Sequence, residues 1–293
     1  MTPQQEREHL LREATLVVEG VLRDASNLTL RVLLQVGSES AESSPAGSPS
    51  IASSPAEDDG EQLRAVYKPM RGERPLHDFP AGSLAGREVA AYLISAAGSW
   101  DLVPPTVLRD GPLGPGSVQW WIDQPEDVLA TPWAGVVDVV RPREVRPGWL
   151  PVVQAEDADG EPLVVVHADE AAVASLAVLD CVLNNADRKG SHLLRDDDGR
   201  LWGIDHGIGL HVDDKLRTVL WGWAGHQLPQ ADAARLAVLE QRLATDPELT
   251  AELGAVITTV EVSALLCRVR NLLETGTFPR PPGDRYPLPW PLW

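Results

Sequence analysis

Asn185-Ala-Asp-Arg-Lys-Gly-Ser-His192, followed by Gly203-Ile-Asp-His-Gly207, is the stretch on which the fold reading turns. It sets two acids, Asp187 and Asp205, in short polar segments, each entered from an apolar run. Upstream, Ala171 to Leu183 is almost wholly apolar, the pattern of a buried helix. Between the acids, His192 to Leu194 and Leu201 to Ile204 read as two short strands joined by the turn Asp196-Asp-Asp-Gly199. A helix, a loop and a hairpin in that order bring both acids to one rim. Phosphoryl transfer from a nucleotide needs one carboxylate to orient or deprotonate the acceptor and another to hold the metal that bridges the phosphates. The same residues also fit a pair of Asx turns at hairpin ends, a common use of Asp beside Gly. The stretch alone does not choose between the two.

Composition narrows the class. With 293 residues there is room for one large domain or two lobes. The 25 basic residues face 43 acidic ones, a net charge of −18. Nucleic acid and anionic membranes both reward basic surfaces, so no nucleic acid and no stable membrane association are expected. Cys181 and Cys267 are the only cysteines, and Cys181 lies inside the apolar helix, which argues against a disulfide framework and fits a reducing compartment. No signal peptide opens the sequence and no apolar run reaches membrane-spanning length, so a soluble, cytoplasmic protein is expected. Only Lys68, Lys189 and Lys215 are lysines. In a chain otherwise served by arginine, a lysine marks a place where a guanidinium fork would not do, although chance accounts equally for any single one.

Toward the N-terminus, residues 1–14 read as a polar, helix-prone lead-in. Leu16 to Leu22 and Leu28 to Leu34 then form a β-hairpin about the turn Asp24-Ala-Ser-Asn27. It is either an ordinary surface hairpin or a lid whose turn amides, with the Ser26 hydroxyl, cover phosphates. Residues 37–60 have too few apolar side chains to offset their ordering entropy, so a disordered insert is expected. Leu63 to Pro69 reads as a strand carrying Lys68, solvated at an edge or turned to a ligand. A helix runs from Ser83 to a glycine stop at Gly98, with Val89, Leu93 and Ala97 on one face. Glu88 in its first turn is, by itself, only a favourable dipole partner.

Val103 to Arg109 and Gly116 to Ile122 read as strands, and Asp123-Gln-Pro-Glu-Asp127 as a boundary between lobes 1–123 and 124–293. The Pro- and Trp-rich residues 124–168 show no assignable periodicity. Asp169 reads as the cap of the apolar helix, and Asp180 within it as a structural acid that receives loop amides or an arginine. Gln230 to Glu274 has helical periodicity with a break at Asp246-Pro247, and the Pro/aromatic tail from Phe278 reads as extended, packed along its own domain.

Taken in order, Val66-Tyr-Lys-Pro69, Arg87-Glu88, Asn185-Ala-Asp-Arg188 and Ile204-Asp-His-Gly207 resemble the phosphatidylinositol 3-/4-kinase-like superfamily, and within it an actinobacterial branch of uncharacterised proteins. The similarity is spread over most of residues 15–225. It implies an α+β, bilobal protein-kinase-like fold, with a small mainly β N-terminal lobe and a larger mainly α C-terminal lobe. It implies ATP with Mg²⁺ or Mn²⁺ as cofactors. Residue by residue, Lys68 matches the strand lysine on the nucleotide phosphates and Glu88 the helix acid that pairs with it. Ser26 and Asn27 stand where the phosphate-covering loop does. Val118 to Ile122 would meet adenine with its backbone, Trp121 and Ile122 at the hinge end. Asp187 matches the catalytic aspartate, with Arg188 beside it, and Asp205 the metal-binding acid.

Two departures stand out. The superfamily places a metal-binding Asn five residues after the catalytic Asp, where this chain has His192, and His206 replaces an apolar plug beside the metal acid. An imidazole suits Mn²⁺ better than Mg²⁺, and metal binding would compete with ring protonation at about 6.5. The implied activity is an ATP-dependent phosphotransferase acting on a protein or small-molecule hydroxyl. The alternatives are a nucleotide-binding pseudokinase scaffold and a nucleotidyl transferase on the same fold.

Overall fold

Short runs of β-branched and aromatic residues punctuated by Gly and Pro build the first part of the chain into a sheet. In the computed structural model, which describes residues 1–22, 25–36, 62–126 and 135–292, five strands pair antiparallel in the order β1-β2-β3-β5-β4. They are β1 (Thr15–Val21), β2 (Leu30–Gln35), β3 (Arg64–Pro69), β4 (Thr106–Gly111) and β5 (Gly114–Trp120). Asp24 and the whole of the insert at 37–60 lie outside the described residues. Alternation along β3 buries Ala65, Tyr67 and Pro69 and turns Val66 and Lys68 to the opposite face. The buried face joins Leu16, Leu30, Val32, Val107 and Val118 in a compact core with Leu11 of helix α1 (Pro3–Glu13).

Helix α2 (Leu84–Ala97) is apolar around nearly its whole circumference and is buried on all sides, so it serves as the joint between the sheet and the C-terminal helices. Arg87 within it bonds Glu261 and the Gly209 carbonyl (2.7 Å), tying the two parts together. Glu88 is the fifth residue of this helix, in its second turn rather than the first.

The C-terminal part centres on α3 (Ala171–Leu183), whose Val173, Leu176, Val178, Leu179 and Val182 are 0 % exposed. Around it pack α4 (Gln230–Thr245), α5 (Pro247–Val256) and α6 (Thr259–Thr275). The break at Asp246-Pro247 is as expected, Asp246 capping α5 by accepting from the amides of Glu248 and Leu249. The α+β class and the small-β, large-α arrangement therefore follow the sequence reading.

One region left unassigned by the sequence gains a structure, and the expected helix cap is corrected. The region without assignable periodicity holds a three-stranded antiparallel sheet in the order β6-β8-β7, formed by β6 (Val137–Val140), β7 (Trp149–Glu156) and β8 (Pro162–Ala168). Asp169 does not cap α3; Glu170 holds the cap position, and the Asp169 carboxylate instead accepts from Trp223 Nε1 (3.0 Å). The tail does pack along its own domain: the carbonyls of Pro287 and Leu292 accept from Thr218 and Gly190 amides. Among the described residues no helix is long and apolar enough to cross a membrane.

Candidate nucleotide and metal site

The strand alternation that buries Tyr67 puts Lys68 on the other face, toward α2. Its ammonium donates to Glu88 Oε1 (2.5 Å) and to Asp205 Oδ1 (2.7 Å). These partners are 20 and 137 residues away in sequence, so the lysine joins the sheet, α2 and the segment after the C-terminal hairpin. The other Glu88 oxygen accepts from the His206 amide (2.9 Å), fixing the residue next to Asp205. Burial on its own would lower the Lys68 pKa, but Asp205 and Glu88 outweigh it and hold the ammonium firmly protonated. Burial raises the Glu88 carboxyl against the pull of Lys68. Desolvation would raise Asp205 as well, yet Lys68 keeps it ionised, well below the usual carboxylate range.

Hairpin β9 (Leu193–Arg195) and β10 (Leu201–Gly203) carries the two metal candidates together at its open end. The turn between its strands is as expected, and Asp196 closes it, its Oδ1 accepting from the amides of Asp198 and Arg200. Asp205 follows β10 with φ 59°, a left-handed conformation that Asp adopts more readily than most residues. His192 precedes β9, and its Nε2 lies 3.2 Å from Asp205 Oδ2. Burial pushes the His192 pKa down to about 4, so the ring is neutral near neutral pH. That corrects the expected titration near 6.5. Its Nδ1 is buried without a partner.

A carboxylate oxygen and a neutral imidazole nitrogen at this separation match adjacent ligands of one divalent ion, which at metal–ligand distances of about 2.1 Å stand about 3 Å apart. Among the described residues no group of three or more His, Cys, Asp and Glu side chains is gathered to hold a metal. The pair therefore fits an ion that brings further oxygens with it, as a nucleotide-bound ion does, better than a self-sufficient metal site.

Asp187 enters from the C-terminus of α3, where Asn184 (φ 51°) ends the helix in a left-handed turn. The Asn185 side chain spans this turn, accepting from the Asp187 amide and donating to Asp180 Oδ1 (both 3.0 Å). Asp187 pairs with Lys189 (3.2 Å), yet burial outweighs the lysine and pushes its pKa up to about 6. Arg188, expected beside the catalytic aspartate, points into the fold and does not line the cleft that Asp187 faces. It is 0 % exposed, grips Asp180 with two nitrogens at 2.9 Å, and donates to the carbonyls of His192 (3.2 Å) and Ile204 (2.8 Å). Asp180 thus receives an arginine, as its place in an apolar helix implied. His206 proves to be a buried plug after all, a polar one: its Nε2 meets Arg188 Nη2 at 2.6 Å, and burial, then Arg188, keep its ring neutral. Gly203 makes room for this hub, since a Cβ there would sit 3.3 Å from Arg188 Nη2 and 2.8 Å from Leu176.

Lys68, Glu88, Asp187, His192 and Asp205 line one cleft of about 530 Å³, a size suited to a small organic ligand. Ser26 and Asn27 line it from the β1–β2 hairpin, and Trp121 and Ile122 from the end of β5. Asn27 also accepts from the Arg74 amide (2.8 Å), which ties the hairpin to the loop before α2. Leu22, Val66, Leu194, Ile204 and Ile208 give the cleft apolar walls that the sequence reading did not single out. Their signal was present only as apolar residues flanking the polar motifs. His206 and Asn185 were missed as positioning residues because their role depends on what Arg188 and Asp180 do in space.

No family model matches the chain. Among solved structures, the Helicobacter pylori proinflammatory kinase CtkA aligns over 91% of this chain and 94% of that one, with 10% identity and a TM-score of 0.41, a likeness too distant to support an inference. Sequence similarity is much stronger to one curated protein, at 42% identity over 296 residues covering 100% of this chain and 98% of the relative, and the chain belongs to the same family as that relative, Protein Rv2133c of Mycobacterium tuberculosis.

Proposed function

We propose that the chain is an ATP-dependent phosphotransferase of the phosphatidylinositol 3-/4-kinase-like type, acting on a protein or small-molecule hydroxyl. The observation that carries this reading is the Lys68 ammonium held between Glu88 and Asp205 at the wall of a cleft that also exposes Asp187. A lysine on a strand, paired with a helix acid and set beside a metal-binding acid, is the arrangement that neutralises nucleotide phosphates in kinases. Asp205 and His192 would hold the ion, and the Lys68 ammonium would divide its donors between its carboxylate partners and the phosphates. A divalent ion bound there would supply charge neutralisation on the transferring phosphoryl group.

In this reading Asp187 orients the acceptor hydroxyl and accepts its proton. Its raised pKa matches a base working near neutral pH, because a carboxylate with a higher pKa is the stronger proton acceptor. Lys189 limits that rise and holds the carboxylate in place. Ser26 and Asn27 close over the phosphate end, while Trp121 and Ile122 border the base end with their backbone. Arg188 keeps the loop and hairpin in register through the carbonyls of His192 and Ile204.

A second reading, a nucleotide-binding scaffold without turnover, rests on His192 standing where the superfamily has its metal-binding Asn. Incubation with γ-phosphate-labelled ATP and Mg²⁺ or Mn²⁺ in a matched cell extract separates the two. The enzyme reading expects a labelled product with wild type and none with Asp187→Asn. Equal labelling with both proteins, or none with either while ATP still binds, contradicts it. Label retained from the α-phosphate would instead indicate nucleotidyl transfer.

A further inference from the structure

A second cavity of about 510 Å³ lies between α6, residues 212–221 and the proximal tail. None of its lining residues belongs to the nucleotide cleft. Its charged lining consists of Arg268, Arg280 and Arg285 against one acid, Asp214. That leaves an excess of two positive charges in a chain whose net charge is −18. A concentration of arginine in so acidic a protein is a local feature, not a consequence of composition.

The guanidinium groups are only partly used. Arg285 pairs through Nη2 with Asp214 (2.9 Å) and through Nη1 with Asp284 (3.6 Å), but its Nε is buried and has no partner. Arg268 donates to the carbonyls of Val182 (3.0 Å) and His211 (3.1 Å), while its Nη2 is likewise buried and unpartnered. Burial lowers the Arg268 pKa to about 10, as expected for a cation short of counter-charge. Arg280 rests against Gly225, where a Cβ would stand 2.7 Å from the guanidinium carbon, and no acid among the described residues pairs with it. Buried donors without acceptors are costly, and here two of them belong to arginines that line one cavity. Trp221 and Leu216 give the same cavity an apolar wall.

We propose that this cavity binds a small organic phosphate, a phosphomonoester whose dianion takes the unpartnered arginine donors and whose apolar body lies against Trp221 and Leu216. A phosphomonoester carries close to two negative charges at neutral pH and offers several strong acceptor oxygens, which matches the excess charge and the free donors. The proposed site stands apart from the nucleotide cleft, with which it shares no lining residue.

Cys267 is exposed and lines the cavity, so it reports on occupancy. Burial pushes the other thiol, Cys181, far up, which leaves Cys267 as the site of alkylation. The test follows iodoacetamide labelling of Cys267 by mass spectrometry in the full chain without ATP, with phenyl phosphate as the probe and phenol as the neutral control. Phenyl phosphate at about ten times its Kd is expected to slow labelling about tenfold, because only the free protein reacts. Phenol at the same concentration leaves the rate unchanged. Arg280→Gln and Arg285→Gln should each weaken protection about tenfold or more, as expected when a charge-assisted contact to phosphate is lost. Arg268 is left intact because it holds two backbone carbonyls. Near-ultraviolet circular dichroism confirms that both variants are folded. No protection in wild type, protection reproduced by phenol, or protection undiminished in both folded variants overturns the proposal.

Discussion

Two carboxylate–cation clusters flank the loop from Asn185 to His192, and they differ in exposure. On the inner side, Asp180 and Arg188 are both 0 % exposed. There Asp180 accepts from two Arg188 nitrogens and from Asn185, while Arg188 also reaches two carbonyls and His206. On the cleft side, the Asp205 side chain is 48 % exposed, whereas an unpartnered histidine Nδ1 is found on both sides, in His192 and in His206. A fully satisfied buried pair has no capacity left for a ligand, so its consequence is shape. A half-exposed cluster with spare donors and acceptors can exchange partners, so its consequence is binding. The contrast is one of surroundings and of cation, arginine inside and lysine at the cleft.

The largest expected effect lies on the cleft side. Asp187→Asn should lower turnover by about 10²- to 10⁴-fold, the usual contribution of a positioned general base, while leaving ATP-dependent stabilisation in place. Single-turnover kinetics beside a thermal-shift titration measures both. Loss of ATP binding together with turnover would move Asp187 from the chemistry to the fold.

On the inner side the effect falls on stability. Arg188→Ala leaves Asp180 buried without its cation and should cost about 3–5 kcal/mol, read by urea unfolding. The double variant Asp180→Asn with Arg188→Met removes both charges and should lose less than the single one. Wild-type stability combined with lost turnover in Arg188→Ala would break the contrast and return Arg188 to a catalytic role.

The pH profile sharpens the comparison further. Asp187 works ionised, and burial raises its pKa to about 6, so activity should fall as pH drops through about 6. His192 is already neutral above about 4, so His192→Asn should leave that midpoint in place while shifting preference from Mn²⁺ toward Mg²⁺. Initial rates across pH in each metal give both quantities. A midpoint near 4 that moves in His192→Asn would assign the acid limb to the histidine.

The smallest effect concerns Lys215, whose 2.5 Å contact with Asp78 links the loop before α2 to the segment after Asp205. Asp78 is 41 % exposed, so Lys215→Ala should cost about 1 kcal/mol or less and leave nucleotide affinity unaltered. A large loss in either assay would mean that this surface contact governs how the two parts of the chain meet.

Local pattern made much of this legible. The β1–β2 hairpin, α2 with its glycine stop, the apolar α3 and the break before α5 all follow from periodicity and turn residues within a few positions. Asp180 was legible too, because an acid on an otherwise apolar helix needs a buried partner. The three-stranded sheet was not, although Val164-Val-Val166 is a β-branched run; scattered Pro and Trp hid its alternation, and its bulge between Pro151 and Val153 breaks the period. The position of Asp187, Asp205, Lys68 and Glu88 around one cleft was anticipated through ordered motifs. The inward turn of Arg188, the depressed His192 pKa and the bonding of His206 depend on burial, which a linear pattern does not encode.

The central claim is that the Lys68 cluster receives nucleotide phosphates, and ATP-dependent thermal stabilisation tests it most directly. Wild type with ATP and Mg²⁺ at about 100 times Kd should gain about 2.7 kcal/mol, with a corresponding rise in Tm. Lys68→Ala should lose most of that gain, because the phosphates lose their cation, whereas Lys215→Ala should keep it. An equal shift in wild type and Lys68→Ala would contradict the account and leave Lys68 as a strand lysine that only ties β3 to α2.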